Sequence, residues 1–333
     1  MKSSAKYWWH VAAVATIAVW GTTFVSTKVL IGNGLSPTEI FTYRFVLAYA
    51  AIWFFSPRRL WSDSWKDEAL MAAVGFTGGS LYFITENTAL ETTLASNVSL
   101  LVCTAPIWTA LLSRVFTPRE ERFGRGLWFG TAAAMAGSAL VIFNGRFVLE
   151  LNPAGDALSI AAALSWAVYS VLMRDLGRRY STMFITRKVF FYGLATLAPF
   201  LLLPGADYNP AALAEPAVWG NLLFLGFVAS LVCFAVWNRV LREIGVVASS
   251  NYIYLNPVFT MGAAASVLGE RITWIAVCGL VLIAAGLWLA ERYADSTVPP
   301  GAGVRKKVFP PSRNLREQKK KFFRRADGDN CTP

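Results

Sequence analysis

Apolar residues along this chain come in long runs separated by short polar breaks, such as Gly32-Asn33-Gly34 and Asn152-Pro153. A run of roughly 18 or more apolar residues with few charges reads as a membrane span, not as the face of a soluble helix. The pattern predicts spans at about 8–31, 37–56, 67–89, 93–116, 123–144, 154–175, 181–203, 216–240, 246–268 and 272–291. Each is long enough to cross a hydrocarbon core of ~30 Å at ~1.5 Å per residue. The first run stays apolar from Trp8 to Ile31 without a small-residue cleavage site, so it is expected to be a first span and not a removable leader.

Basic residues orient these spans. The loops after the second, fourth, sixth and eighth carry Arg58, Arg59, Lys66, Arg114, Arg119, Arg122, Arg125, Arg174, Arg178, Arg179, Arg239 and Arg242. The opposite face offers Lys28, Arg146 and Arg271. Lys and Arg favour the cytoplasmic side, so the bias predicts a multi-pass protein of the cell (inner) membrane with both termini in the cytoplasm.

The two halves repeat each other. Trp20 and Lys28 match Trp166 and Arg174, and Arg44 matches Arg187. Phe83 and Asn87 match Phe234 and Asn238, Pro106 matches Pro257, and Gly130 and Gly137 match Gly279 and Gly286. The order is kept throughout, with offsets of 143 to 151 residues. Five spans per half is an odd number, so the second half enters from the opposite face. The expected fold is an all-α integral membrane protein of ten transmembrane helices, arranged as two inverted five-helix repeats around a central cavity. The repeats run over 1–148 and 149–293, and a basic, disordered cytoplasmic tail over 294–333. Inverted repeats suit alternating access to one midplane site.

Composition agrees with lipid as the solvent: 55% of residues are apolar and 15% charged, against about a quarter charged in soluble domains. The net charge of +11 does not point to nucleic acid. Residues 297–333 alone hold ten Lys/Arg and three Asp/Glu, a cluster suited to a solvated tail beside anionic lipid. Cys103, Cys233 and Cys278 fall inside spans without disulfide or metal-site spacing. With His10 the single histidine, and no phosphate-binding glycine loop or nucleophile elbow, no catalytic residue, metal or cofactor is implied. Self-contained ATP-driven transport is excluded on the same ground.

Several motifs carry a family resemblance. Val19-Trp20-Gly21-Thr22-Thr23-Phe24 with Lys28, Tyr43-Arg44-Phe45, Asn256-Pro257-Val258-Phe259 and Leu268-Gly269-Glu270-Arg271-Ile272 strongly resemble the EamA-type branch of the drug/metabolite transporter superfamily. The likeness covers roughly residues 10–292, so each half reads as an EamA-like repeat. It implies a cavity lined mainly by the first, third, fourth, sixth, eighth and ninth spans. It also implies movement of amino acids, other metabolites or toxic cations, often outward. Thr117-Pro118-Arg119-Glu120-Glu121-Arg122 departs from the tighter Gly269-Glu270-Arg271 of the second half.

Candidate site residues follow from the spans themselves. Pro106 and Pro257 each remove a helix hydrogen bond inside a span, and a freed carbonyl in lipid needs a partner or a wet cavity. Asn97, Thr104 and Trp108 share one face of the fourth span, as do Ser249, Tyr252 and Asn256 in the ninth. Trp20 and Trp166 lie too deep for an interfacial belt, so they read either as aromatic walls of a cavity, with Thr23 and Tyr169 nearby, or as packed rings. Tyr82 and Trp237 are weaker candidates of this kind. Arg44, Glu86 and Arg187 are intramembrane charges, each costing ~2.5–3.5 kcal/mol or more near the bilayer centre. Glu86 is expected to pair with Arg44 or Lys28, and is the leading candidate for proton coupling. Asn87 and Asn238 contact substrate or bridge helices.

The function these readings predict is a secondary carrier that moves a small metabolite (amino acid, related metabolite or organic cation), outward, by alternating access. An importer of a sugar or phosphorylated metabolite, or a membrane scaffold that transports nothing, stands as the alternative. The partners implied are a small-molecule substrate and the lipid bilayer, and the pattern sets no oligomeric state.

Overall fold

The structure, a computed structural model, describes residues 2–56, 60–93, 95–116, 125–143, 152–201, 209–268 and 273–295. The basic tail from 296 onward and the loop motifs around 117–124 and 269–272 lie outside them. Every regular element among the described residues is helical, as a chain without water to solvate its amides requires.

The first half runs through α1 (Lys2–Gly32), α2 (Pro37–Ile52), α3 (Trp65–Gly75), α4 (Tyr82–Thr92), α5 (Ala95–Val102), α6 (Ala105–Phe116) and α7 (Arg125–Phe143). The second runs through α8 (Pro153–Arg179), α9 (Thr182–Leu201), α10 (Pro216–Leu223), α11 (Cys233–Ile244), α12 (Val246–Asn251), α13 (Asn256–Leu268) and α14 (Trp274–Asp295). Local chemistry sets several of the ends. After α1 the chain turns at Gly34, whose φ of +86° suits glycine. Ser36 then caps α2, its hydroxyl accepting from the Glu39 amide while the Glu39 carboxylate takes the Ser36 amide at 2.9 Å. Asn152 caps α8, accepting from the Gly155 amide at 3.0 Å.

Two helices change pitch midway at repeat-equivalent places. A π-helical turn, Phe76–Leu81, joins α3 to α4, and a longer one, Phe224–Val232, joins α10 to α11. The rods ahead of both prolines also depart from regular helix. Between α5 and α6 the Thr104 amide bonds the Leu101 carbonyl at 3.0 Å, and Ile107 bonds Thr104 at 3.0 Å. Between α12 and α13 the chain tightens into a 3₁₀ turn, Tyr252–Leu255. Proline lacks the N–H that would continue the ladder, and shorter-range bonds take over in the turn before it.

Among the described residues, five helices are long and apolar enough to cross a membrane by length and composition: Tyr7–Gly32, Val98–Phe116, Arg125–Phe143, Pro153–Arg179 and Pro216–Ile244. Trp274–Ala290 is a shorter apolar helix. Among the others, α2, α3, α4 and α9 carry buried charge, namely Glu39, Arg44, Asp67, Glu68, Glu86, Arg187 and Lys188. These charges are used within the protein. Lys188 pairs with Glu68, which also accepts from the Tyr192 hydroxyl at 2.5 Å and the Ser62 amide at 2.8 Å. Beside it Asp67 pairs with Arg179 and accepts from the Tyr180 hydroxyl at 2.6 Å.

Packing runs across the two halves. Helix α1 lies against α11 and α13, while α8 lies against α4 and α6. Helix α2 packs on the Phe224–Val232 turn, and α9 on α3 and the Phe76–Leu81 turn. Helices α7 and α14 lie antiparallel, Gly130 meeting Gly286 and Gly137 meeting Gly279. A Cβ on Gly137 would sit 2.6 Å from the Gly279 carbonyl oxygen, so the approach of these backbones requires glycine. Gly137→Ala is therefore expected to destabilise the protein by about 1–3 kcal/mol, the cost of overpacking. Gly220→Ala, with nothing within 4 Å of its added Cβ, should be neutral or slightly stabilising. Thermal unfolding of both variants in detergent checks the pair, and equal melting would refute the glycine seam.

Candidate functional site

The cavity at the centre of the bundle is built from α1, α2, α4, α5, α8, α11, the 3₁₀ turn before α13 and α13 itself. Trp20, Thr23, Phe24, Arg44, Tyr82, Phe83, Glu86, Val102, Trp166, Phe234, Ile253 and Asn256 line it. Its free volume is about 30 Å³, room for about two waters.

Aromatic rings form most of the wall. Trp20 and Trp166, equivalent positions in the two halves, meet edge to face with centroids 5.3 Å apart. Tyr82 lies 5.0 Å from Trp166, and Phe234 lies 5.9 Å from both tryptophans. Edge-to-face pairing sets the positive rim of one ring against the negative face of the next, fixing ring orientation as well as burying area.

The π-helical turns feed this wall. A wider turn misaligns the i→i−4 ladder and leaves carbonyls for other donors. The Trp20 indole donates to the Ala229 carbonyl at 2.9 Å, within Phe224–Val232. In the other half, the Ser165 hydroxyl donates to the Thr77 carbonyl at 2.7 Å, within Phe76–Leu81. Each first helix of a half is thus stitched to the π turn of the other.

Two charges face the same space. Arg44, 2% exposed, donates through Nε to the Ser230 hydroxyl at 3.0 Å and stacks 4.2 Å above the centroid of Phe83. Glu86, 7% exposed, accepts from the Tyr82 hydroxyl at 2.7 Å. Arg44 and Glu86 attract each other electrostatically, yet among the described residues no ion pair within 4.0 Å joins them. Lys28, the other expected partner of Glu86, donates to the Thr93 carbonyl at 3.3 Å. Arg187 points elsewhere, donating to the Ser56 carbonyl and lying 4.6 Å over Trp53.

Of the residues singled out in the sequence, Trp20, Thr23, Tyr82, Trp166, Asn256, Arg44 and Glu86 come together at the cavity. Trp237 is fully buried behind it, 5.2 Å from the Trp20 ring. Tyr169 is also buried and donates to Asn238, whose amide donates to Thr186 at 2.9 Å. Asn238 therefore bridges helices, as does Asn87, which bonds the Pro37 carbonyl at 3.3 Å. Thr104 and Ser249 bond carbonyls of their own segments, at Leu101 and Gly245. Trp108 packs against the core and is not among the residues that line the cavity, and Tyr252 bonds the His10 ring at 2.7 Å. The side chain of Asn97 lies outside the described residues. Phe24, Phe83, Val102, Phe234 and Ile253 line the cavity without having been singled out as liners. Phe83 and Phe234 were marked by the repeat, which is the signal that could have found them.

A helical membrane architecture with a charged, aromatic-walled cavity describes a class of solute-handling proteins, and comparison with known proteins narrows it. The profile of the EamA-like transporter family matches residues 7–143 and again 153–291, so the chain belongs to that family. Its relatives include an uncharacterized transporter of Archaeoglobus fulgidus, 28% identical over 84% of this chain and 96% of the relative. A protein of Streptantibioticus cattleyicolor described as a "probable terminal-alkyne amino-acid exporter" is 29% identical over 88% of this chain and 95% of its own length. One of Escherichia coli K12, a "probable amino-acid metabolite efflux pump", is 27% identical over 84% and 93%. A solved crystal structure superposes with a TM-score of 0.65 at 19% identity, covering 86% of this chain and 98% of that one, a likeness of fold. The family and these relatives indicate a multi-pass membrane transporter of a small molecule, not an enzyme.

Trp20→Phe would keep an aromatic ring but strand the Ala229 carbonyl. The expected loss of stability is about 1–3 kcal/mol, the cost of an unsatisfied buried acceptor. Thermal unfolding in detergent measures it, and an unchanged melting temperature would show that the π turn does not depend on this bond.

Proposed function

We propose that the protein is a secondary carrier that exports a small metabolite (an amino acid, related metabolite or organic cation) across the inner membrane by alternating access. In this reading ten spans form two inverted five-helix repeats, residues 1–148 and 149–293, with both termini in the cytoplasm and the site at their seam. The observation that carries it is the meeting of equivalent residues: Trp20 of one half and Trp166 of the other touch edge to face in the wall of one cavity. The reciprocal glycine contacts of α7 and α14 support the inverted relation, because a two-fold axis between them exchanges Gly130–Gly286 with Gly279–Gly137. The twofold match of the family profile supports the duplication. The relatives' names support amino-acid export.

A metabolite larger than about two waters enters only when the helices part on one side. The pitch changes and proline breaks, clustered around the cavity, are where such rods bend. An importer of a phosphorylated metabolite gains support from Arg44 alone, and Glu86 in the same wall opposes it by repelling a polyanion.

Purified protein in liposomes loaded with labelled amino acids is expected to release them, and Trp166→Ala is expected to slow release markedly. Cysteine labelling should find both termini on one face; termini on opposite faces would overturn the inverted arrangement. Glu86 is the proposed site of proton coupling. Glu86→Gln is expected to abolish acceleration of transport by a pH gradient, and an unchanged gradient response would remove that role.

A further inference from the structure

The polar groups that the protein leaves unsatisfied at the cavity fall into two opposite kinds. Arg44 has five N–H donors, and among the described residues only Nε finds an acceptor, at Ser230. The buried Trp166 indole N–H, also in the wall, has no partner among the described residues. On the accepting side, among the described residues Glu86 receives one hydrogen bond, from Tyr82 to Oε1, and the buried Asn256 Oδ1 receives none. One set of groups asks for a planar anion, the other for a multivalent cationic donor.

Resting on the carrier reading above, we infer that Arg44 and Glu86 are the specificity-determining residues for a zwitterion, an α-amino acid with an apolar side chain. Its carboxylate lies on the free guanidinium edge of Arg44, with the Trp166 N–H as a further donor. A guanidinium fork matches a carboxylate bidentately, which an ammonium cannot do. The α-ammonium has three donors, and Glu86 and Asn256 supply its acceptors. The side chain falls against Phe24, Val102, Phe234 and Ile253, which have no hydrogen-bonding groups on their side chains.

Charge balance excludes the other small solutes. An organic cation neutralises Glu86 and leaves Arg44 buried and uncompensated. A sugar hydrogen-bonds both groups but brings no charge to either, and a phosphate monoester sets a second negative charge against Glu86. A buried charge deprived of its partner is strongly unfavourable. A zwitterion satisfies both at once and adds no net charge to the membrane interior. It also takes the place of the missing Arg44–Glu86 ion pair, bridging α2 and α4 through itself.

The test uses the purified full-length protein and ligand-dependent thermal stabilisation. The probes are the standard amino acids, and then, for the strongest binder, its carboxamide and its N-acetyl derivative. The free amino acid is expected to stabilise the protein. Each derivative should bind about thirtyfold or more weakly, the loss expected when one partner of a buried charge pair is removed. Arg44→Lys and Glu86→Gln should each lose the shift, with size-exclusion profiles confirming that they fold. Equal binding of the carboxamide would eliminate Arg44 as carboxylate reader, and equal binding of the N-acetyl derivative would eliminate Glu86 as ammonium reader. Failure of every free amino acid to bind would overturn the zwitterion site. Release of sugars or organic cations from liposomes would then leave the carrier standing, whereas no flux of any solute would sink the carrier itself.

Discussion

Hydrocarbon cannot solvate a charge or a free backbone carbonyl, and nearly every feature of this structure answers to that constraint. It makes the described elements helical and turns each departure from regular helix into a demand for a partner. The Phe224–Val232 turn is met by the Trp20 indole and the Phe76–Leu81 turn by the Ser165 hydroxyl. Buried charges are handled likewise. Glu68 and Asp67 are surrounded by Lys188, Arg179, Tyr192 and Tyr180, a network that leaves little for a ligand. At the central cavity the same rule is only half obeyed, because Arg44 and the acceptors opposite keep bonding capacity in reserve. Polar capacity left over where water is scarce is what a binding site consists of before its ligand arrives.

The family profile matches each half, and the halves differ at the cavity. Phe83 and Phe234 still occupy corresponding places, and both reach the cavity. The position that carries Glu86 in the first half carries Trp237 in the second, which is buried behind Trp20. Arg44 and Arg187 have parted as well: one faces the cavity, the other reaches to the Ser56 carbonyl at the end of a helix. A pair of equal halves offers two equal half-sites. Placing both charges in the first half gives the cavity a polarity, cationic toward α2 and anionic toward α4.

Much of this frame was legible from residue order. Lipid-facing surface must be apolar whatever it packs against, so long apolar runs announce helices without any knowledge of neighbours. The glycines of α7 and α14 were legible as packing positions because small residues let helix backbones approach. Less legible were the π turns, since no residue type demands the i→i+5 bond, and the apolar cavity liners, since a phenylalanine reads the same in a wall as in a core. Thr104, Ser249 and Tyr252 share helix faces with their neighbours by spacing, and their hydroxyls bond the Leu101 carbonyl, the Gly245 carbonyl and His10. Spacing fixes which face of a helix a residue occupies and not what that face meets.

By itself, then, the amino-acid order determined the solvent, the helical class and the membership in a transporter family, because each follows from local patterning against lipid. Tertiary structure alone decided which charges share a cavity and which are spent on structure. Arg44, Glu86 and Arg187 are alike in the sequence as costly intramembrane charges. Only the packing of α2 and α4 around the central space separates the two that face the cavity from the one that bonds the turn after α2. That distinction depends on distances between residues far apart in the chain, which no local pattern records.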